Sequence, residues 1–239
     1  MRIFLFIALF FFIYETELSG QPLRITAPEL PESPLSNYKT ATNKSQNLYN
    51  GRRYFLNDPL SDEHQFYIER QWQTGSVMYD GQQFDSLSLM YDIHKDQLII
   101  KDLHNNFLLL VVERVQAFDI NQHHFKRMIS GENLPANMST GFYDILYDGN
   151  TKFIIRRKKD RQEKIVDMKI IPLYESKDNY YIFRHNTYWP VRKRKSVLAL
   201  FPEHGRELRR LVRRKGISYR KNRELAIVEM VRYFDEISK

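Results

Sequence analysis

Arg192, Lys193, Arg194 and Lys195 follow closely on Tyr188 and Trp189, and no other stretch of the chain has residue types so suited to holding another molecule. Guanidinium and ammonium groups supply charge and donors, and the rings supply flat faces. That combination suits nucleic acid, acidic glycan or lipid headgroups. A second set of cations recurs at helical spacing: Arg206, Arg209, Arg210, Arg213, Arg214 and Lys215. The plainer reading of both sets is a solvated surface, and cations near a helix C-terminus also suit its macrodipole. The expected contact residues are Trp189, Arg192, Lys193, Arg194, Lys195, Arg209, Arg210, Arg213 and Arg214.

Catalytic chemistry is harder to find. His123 and His124 are adjacent in an expected strand, so their rings leave on opposite faces and cannot share an ion without a bulge. No His-Glu-x-x-His, Gly-x-Ser-x-Gly, Walker loop or dinucleotide fingerprint occurs. The chain has no cysteine, which excludes thiol catalysis. Ser36 and Lys39 match a Ser-x-x-Lys pattern, but they fall in a proline-rich stretch and lack the companion Lys-Thr-Gly. Asp58, Asp62 and Glu63 cluster without the spacing of a catalytic pair, and turn roles explain them. No catalytic, cofactor-binding or metal-ligating residue is expected, and the chain reads as non-enzymatic.

The elements that would position the cations change character along the chain. From about residue 47 to 192 the dominant period is two. Leu87, Leu89, Tyr91 and Ile93 alternate with Ser88, Met90 and Asp92, which predicts a strand with one face buried. Residues 66–72 are expected to form the first long strand, and turns at 94–97 and 104–106 lead into further strands. Tyr143, Ile145 and Tyr147 alternate before Asp148-Gly149, a dipeptide that accepts positive φ in a tight hairpin. Another hairpin is expected at 176–179. Tyr-Asp-Ile at 91–93 and 143–145 and Tyr-Asp-Gly at 79–81 and 147–149 are echoes that fit duplication or coincidence equally. The last 45 residues turn helical. Ser196 is expected to cap a helix over 197–201 that Pro202 ends. A second runs over 203–215, with Leu208, Leu211 and Val212 on one face and Gly216 as its stop. Asn222 is expected to cap a third, with Leu225, Val228 and Val231 sharing a face that Phe234 and Ile237 extend. The fold class expected is α+β, mainly β: an antiparallel meander, sandwich or partly closed barrel with two to three C-terminal helices. The 16 Phe and 15 Tyr support such a body.

Ahead of the body, Met1-Arg2 and the apolar run 3–14 have the layout of a secretory signal peptide over 1–20. Twelve apolar residues reach about 18 Å as a helix, short of a bilayer core of roughly 30 Å. An uncleaved anchor is the alternative. Four prolines within 22–34 make 21–46 a disordered tether. The body is expected over 47–192 and a basic helical segment, packed on it, over 193–239. Without cysteine there is neither a lipid attachment point nor a disulfide framework, which favours a bacterial periplasm or cell surface. The net charge of +8 hides an asymmetry: residues 151–239 carry 25 basic against 11 acidic groups, and residues 1–150 carry 12 against 18. A basic rear implies an anionic membrane surface, acidic polymer or acidic protein face as partner, and export argues against nucleic acid.

Leu48-Tyr-Asn-Gly51, Gly75-Ser-Val-Met-Tyr-Asp-Gly81, Leu89-Met-Tyr-Asp-Ile93, Lys195-Ser-Val-Leu-Ala-Leu-Phe201 and Glu207-Leu-Arg-Arg-Leu, together with the leader, resemble a group of uncharacterised exported β-rich proteins of Gram-negative bacteria. The resemblance spans most of 48–237. It implies export and a β-rich body with a helical tail, and brings no activity, cofactor or catalytic residue. The expected role is a cell-envelope binding or scaffolding protein whose basic surface meets an anionic partner. A β-cup carrying an apolar ligand such as lipid, and a hydrolase with an unrecognised site, are the alternatives.

Overall fold

The computed structural model describes residues 47–56, 58, 63–102 and 104–238. The expected leader and tether, with Ser36 and Lys39, lie outside these residues, as does Asp62. Among the described residues thirteen strands form two antiparallel sheets, and three helices follow near the C-terminus. The mainly β, antiparallel architecture is the one expected, and the large sheet stays open.

The strands are β1 (Arg52–Arg53), β2 (Gln73–Tyr79), β3 (Gln82–Asp92), β4 (Gln97–Lys101), β5 (Phe107–Leu109), β6 (Val115–Ile120), β7 (His123–Met128), β8 (Gly141–Asp148), β9 (Lys152–Arg156), β10 (Lys159–Val166), β11 (Lys169–Ser176), β12 (Asn179–Arg184) and β13 (Thr187–Pro190). Eleven of them pair in the order β1-β5-β4-β3-β2-β6-β7-β8-β9-β12-β13, while β10 and β11 form a separate ribbon. Four hairpins close through two-residue turns in which both central residues have positive φ: Asp80-Gly81, Asn121-Gln122, Asp167-Met168 and His185-Asn186. That backbone matches the right-handed twist of the flanking strands.

Packing corrects several local expectations. Phe66 makes only an isolated bridge to Asp92, and Ile68 at φ 56° interrupts any strand over 66–72, so β2 is the first long strand. At the end of β3 both faces are buried. Leu89 and Tyr91 enter one core, while Met90 packs with Tyr54, Phe66 and Ile99 in another, because Tyr54 and Phe66 cover the second face. A register shift between Ile145 and Tyr147 breaks the alternation in β8: Tyr143 and Ile145 share one cluster, and Tyr147 packs against the helices. Residues 176–179 are not a hairpin. They return the chain from the ribbon to the large sheet, where β12 pairs with β9.

The principal core is aromatic. Phe118 stacks on Phe125 at 4.8 Å between ring centres, and Tyr91 meets both edge-on at 5.0 and 5.1 Å. Phe142 closes the group. A second core joins Phe153, Ile155 and Ile182 of the sheet to α1 (Arg194–Ala199), α2 (Gly205–Arg214) and α3 (Arg223–Ile237). The first helix starts earlier than the sequence suggested. Lys193 is its cap, and Ser196 sits one turn in, its hydroxyl accepting from the Arg192 and Lys193 amides at 3.1 and 3.2 Å. The second buries Leu208, Leu211 and Val212 as expected. The third buries Val231 and Phe234 as expected, adds Ala226, Ile227 and Met230, and leaves Leu225 48% exposed, so the buried stripe is shifted at its N-terminal end. Asn222 is its N-cap residue, but its side chain makes no capping bond.

Candidate functional site

The chain leaves β13 at Pro190, anchors Val191 in the helical core, and exposes Arg192, Lys193 and Arg194 as it enters α1. The buried face of α2 turns Arg209 and Arg213 towards the same side, and the connector to α3 brings Ile217, Tyr219, Arg220 and Arg223 across the gap. The result is a cleft of about 730 Å³ floored by Val212, Ile217 and Met230. Seven cations line it and no carboxylate does. Among the described residues none of the seven forms an ion pair; Arg223 lies over the Tyr180 ring, 5.3 Å from its centre.

Two features set this cleft apart from a solvated basic surface. Arg220 and Arg223 stand at the N-terminal end of α3, where the helix macrodipole already places partial positive charge. Cations there work against the helix by about 0.3–1 kcal/mol each, whereas an anion would satisfy both. Arg213 and Arg214, in the last turn of α2, have no such cost. The second feature is Tyr219, whose hydroxyl is buried and finds no hydrogen-bond partner among the described residues. Burial pushes its phenol above the ordinary value, against the Arg223 and Arg194 charges, so it stays a protonated donor.

Five expected residues therefore meet in one place: Arg192, Lys193, Arg194, Arg209 and Arg213. The other four do not. Trp189 lies on another cleft with Arg184, Phe201 and His204, and its indole N–H donates to the Arg184 carbonyl at 3.4 Å. Lys195 borders a shallow groove beside Pro190 and Ala199. Arg210 and Arg214 follow Glu207 at helical spacing on the other side of α2, where Tyr233 donates to Glu207 at 2.5 Å. Sequence reasoning missed Tyr219, Arg220 and Arg223. The signal was present, because an aromatic residue followed by cations repeats the pattern of 188–195.

A different charged cluster ties the sheet to the helical layer. Arg157, buried, donates to Asp144 at 2.7 and 2.9 Å, to Asp178 at 2.9 Å and to Glu224 at 2.6 and 2.8 Å. His123 Nδ1 meets the same Asp144 at 2.9 Å, while His124 turns away to Asp119 at 2.7 Å, as strand alternation requires. Burial pushes the Glu224 carboxyl up, but the Arg157 hydrogen bond and charge outweigh it and hold the group below its ordinary value. Every acid here already has a cationic partner.

Among the described residues no group of His, Asp and Glu side chains is arranged to hold a metal ion, and no helix is long and apolar enough to cross a membrane. No family model, curated protein or solved structure matches the chain.

Proposed function

We propose that this protein is a non-enzymatic binding protein of the Gram-negative periplasm or cell envelope, and that it holds an anionic partner by a phosphate-like group in the cleft between α1, α2 and α3. One observation carries the reading: seven cations, none in an ion pair among the described residues, converge on one concavity that no carboxylate lines. Guanidinium groups stay charged at any physiological pH, so such a cleft binds anions well and has little to offer proton transfer. The apolar floor suits a group carried on a larger body, such as an anionic lipid or glycan. The interior of the curled sheet is filled by the Tyr91, Phe118, Phe125 and Phe142 rings and lends no support to a β-cup for lipid. Export rests on the 1–20 leader.

The test is calorimetric titration of the full chain with inorganic tripolyphosphate. The double variant Arg209→Glu/Arg213→Glu is expected to weaken binding at least about tenfold. Arg210→Glu/Arg214→Glu changes net charge identically but outside the cleft, and is expected to weaken it far less. Equal losses would reduce the effect to bulk charge and defeat the cleft reading. Export is checked on the same chain by mass: a mature form beginning near Gln21 in the periplasmic or envelope fraction supports it, and a cytoplasmic full-length mass opposes it.

A further inference from the structure

The β10–β11 ribbon stands off the large sheet, and its two halves are built differently. Its base is fixed to the body. Arg161 pairs with Asp58 at 2.7 Å, and the Tyr174 hydroxyl donates to the same carboxylate at 2.8 Å. Lys159 Nζ donates to the His64 and Phe66 carbonyls, each at 2.8 Å. Beyond this base β10 and β11 pair with each other out to the turn at 167–168.

The outer half places five apolar residues among Lys164, Asp167 and Lys169, and leaves them on the surface. Ile165 and Ile170 are cross-strand partners on one face, 74% and 63% exposed. Ile171, opposite Lys164, and Val166, opposite Lys169, lie on the other face. At the turn Met168 is 98% exposed and holds φ 59°. That position ordinarily takes glycine or asparagine, because a longer side chain is strained there. The sequence instead spends the tip on a large, flexible apolar group.

We infer that this tip is a shallow wedge that inserts into an anionic lipid surface. Shape and charge both favour lipid over a protein groove. Apolar groups leave both faces and the end of the ribbon, so a medium that surrounds it covers more than one flat partner can. Lys169, paired with Val166 beside the turn, and Lys164, one rung behind Ile165, flank the isoleucines and outnumber the single Asp167 of the turn, so the tip keeps a net positive charge for anionic headgroups. Three residues of strand rise about 10 Å, the reach of an interfacial segment. Over 164–171 no further strand lies beside the ribbon among the described residues, and hydrocarbon does not tolerate such open backbone edges, so insertion stops in the headgroup and upper acyl region. The wedge and the cleft rest on different residues, and neither depends on the other.

Because the chain has no cysteine, Met168→Cys can carry a single environment-sensitive fluorophore. On vesicles of phosphatidylglycerol and phosphatidylcholine its emission is expected to shift to the blue, while a label at Glu132→Cys, on an exposed loop, stays unmoved. Vesicles of phosphatidylcholine alone should give a much smaller shift. The reporter sits on the tip, so attachment through any other part of the chain leaves it silent. Ile165→Asp and Ile170→Asp, on exposed side chains, are each expected to lower the bound fraction about tenfold with an unchanged circular dichroism spectrum. An unshifted label on protein that co-sediments with vesicles overturns the proposal. So does wild-type binding by both Asp variants, or capture of the tip by a protein partner with no response to lipid. Arg209→Glu/Arg213→Glu in the same assay separates the wedge from the cleft: a label that still shifts in that variant keeps the wedge whatever becomes of the cleft.

Discussion

A single hydroxyl distinguishes the cationic cleft from an ordinary basic surface. A buried donor left without a partner costs about 1–3 kcal/mol, and the Tyr219 hydroxyl has no partner among the described residues. Tyr219→Phe removes the hydroxyl with almost no change of shape. The free variant is therefore expected to melt at the wild-type temperature or slightly above, while its affinity for tripolyphosphate falls about three- to tenfold. Calorimetry and a thermal melt on one sample check both signs. A variant less stable and equally tight would show that the hydroxyl serves the fold. Nothing in the linear sequence marks Tyr219 as buried. The cations at 192–194, 209 and 213 were legible by type, but their convergence depends on how α2 lies against the 216–223 connector.

At the scale of the element, α3 is held by one carboxylate as much as by its apolar face. Asp235 is buried and accepts from the Thr151 amide at 2.9 Å and the Tyr147 hydroxyl at 3.2 Å. The helix is thereby plugged into the β8–β9 turn. This also explains Gly149. The sequence suggests a glycine chosen for positive φ, but its φ is not in the left-handed region; a Cβ there would lie 2.5 Å from Asp235 Oδ2 and 2.6 Å from the Tyr147 hydroxyl. The matching Tyr-Asp-Gly at 79–81 does use positive φ, at both Asp80 and Gly81, so the two echoes share letters and not a turn. Asp235→Ala is expected to cost about 1.5–3 kcal/mol, the range for hydrogen bonds to a charged group, and to speed hydrogen exchange at the Thr151 amide. Protection at that amide equal to wild type would show that the apolar face alone seats the helix. In the same helix Leu225 turns outward while Ala226 and Ile227 are buried, a rotation of the first turn that accompanies the contact of Glu224 with Arg157.

For the whole molecule, Arg157 is the node through which the sheet and the helical layer share their stability. Its partners come from β8, from the return at 176–179 and from α3, and removing one member of a buried set costs about 3–5 kcal/mol. Arg157→Met is therefore expected to lower the denaturant midpoint and to loosen α3. A depressed carboxyl contributes stability that is present above its unfolded value and lost as pH falls through its folded one. For Glu224 the melting temperature should hold from neutral pH down to its ordinary value of 4.5 and then fall. Glu224→Gln should flatten that acid limb while lowering the plateau. An acid limb as steep as wild type would place the titration elsewhere. The architecture was legible because strand alternation, turn dipeptides and helical spacing are local signals. The order of the strands, the stand-off ribbon and the Arg157 node were not, because they join residues far apart in the chain.

An open sheet has two ends, and both are finished in a way that bears on how copies of the chain meet. One end is β1, two residues long and made of Arg52 and Arg53; the other is β13, four residues long and closed by Pro190. Short rims of like charge, or ending in a residue with no amide hydrogen, make poor templates for a foreign strand. The large sheet thus leaves its hydrogen-bonding ladder open without inviting, at either rim, the edge-to-edge stacking that starts fibrils.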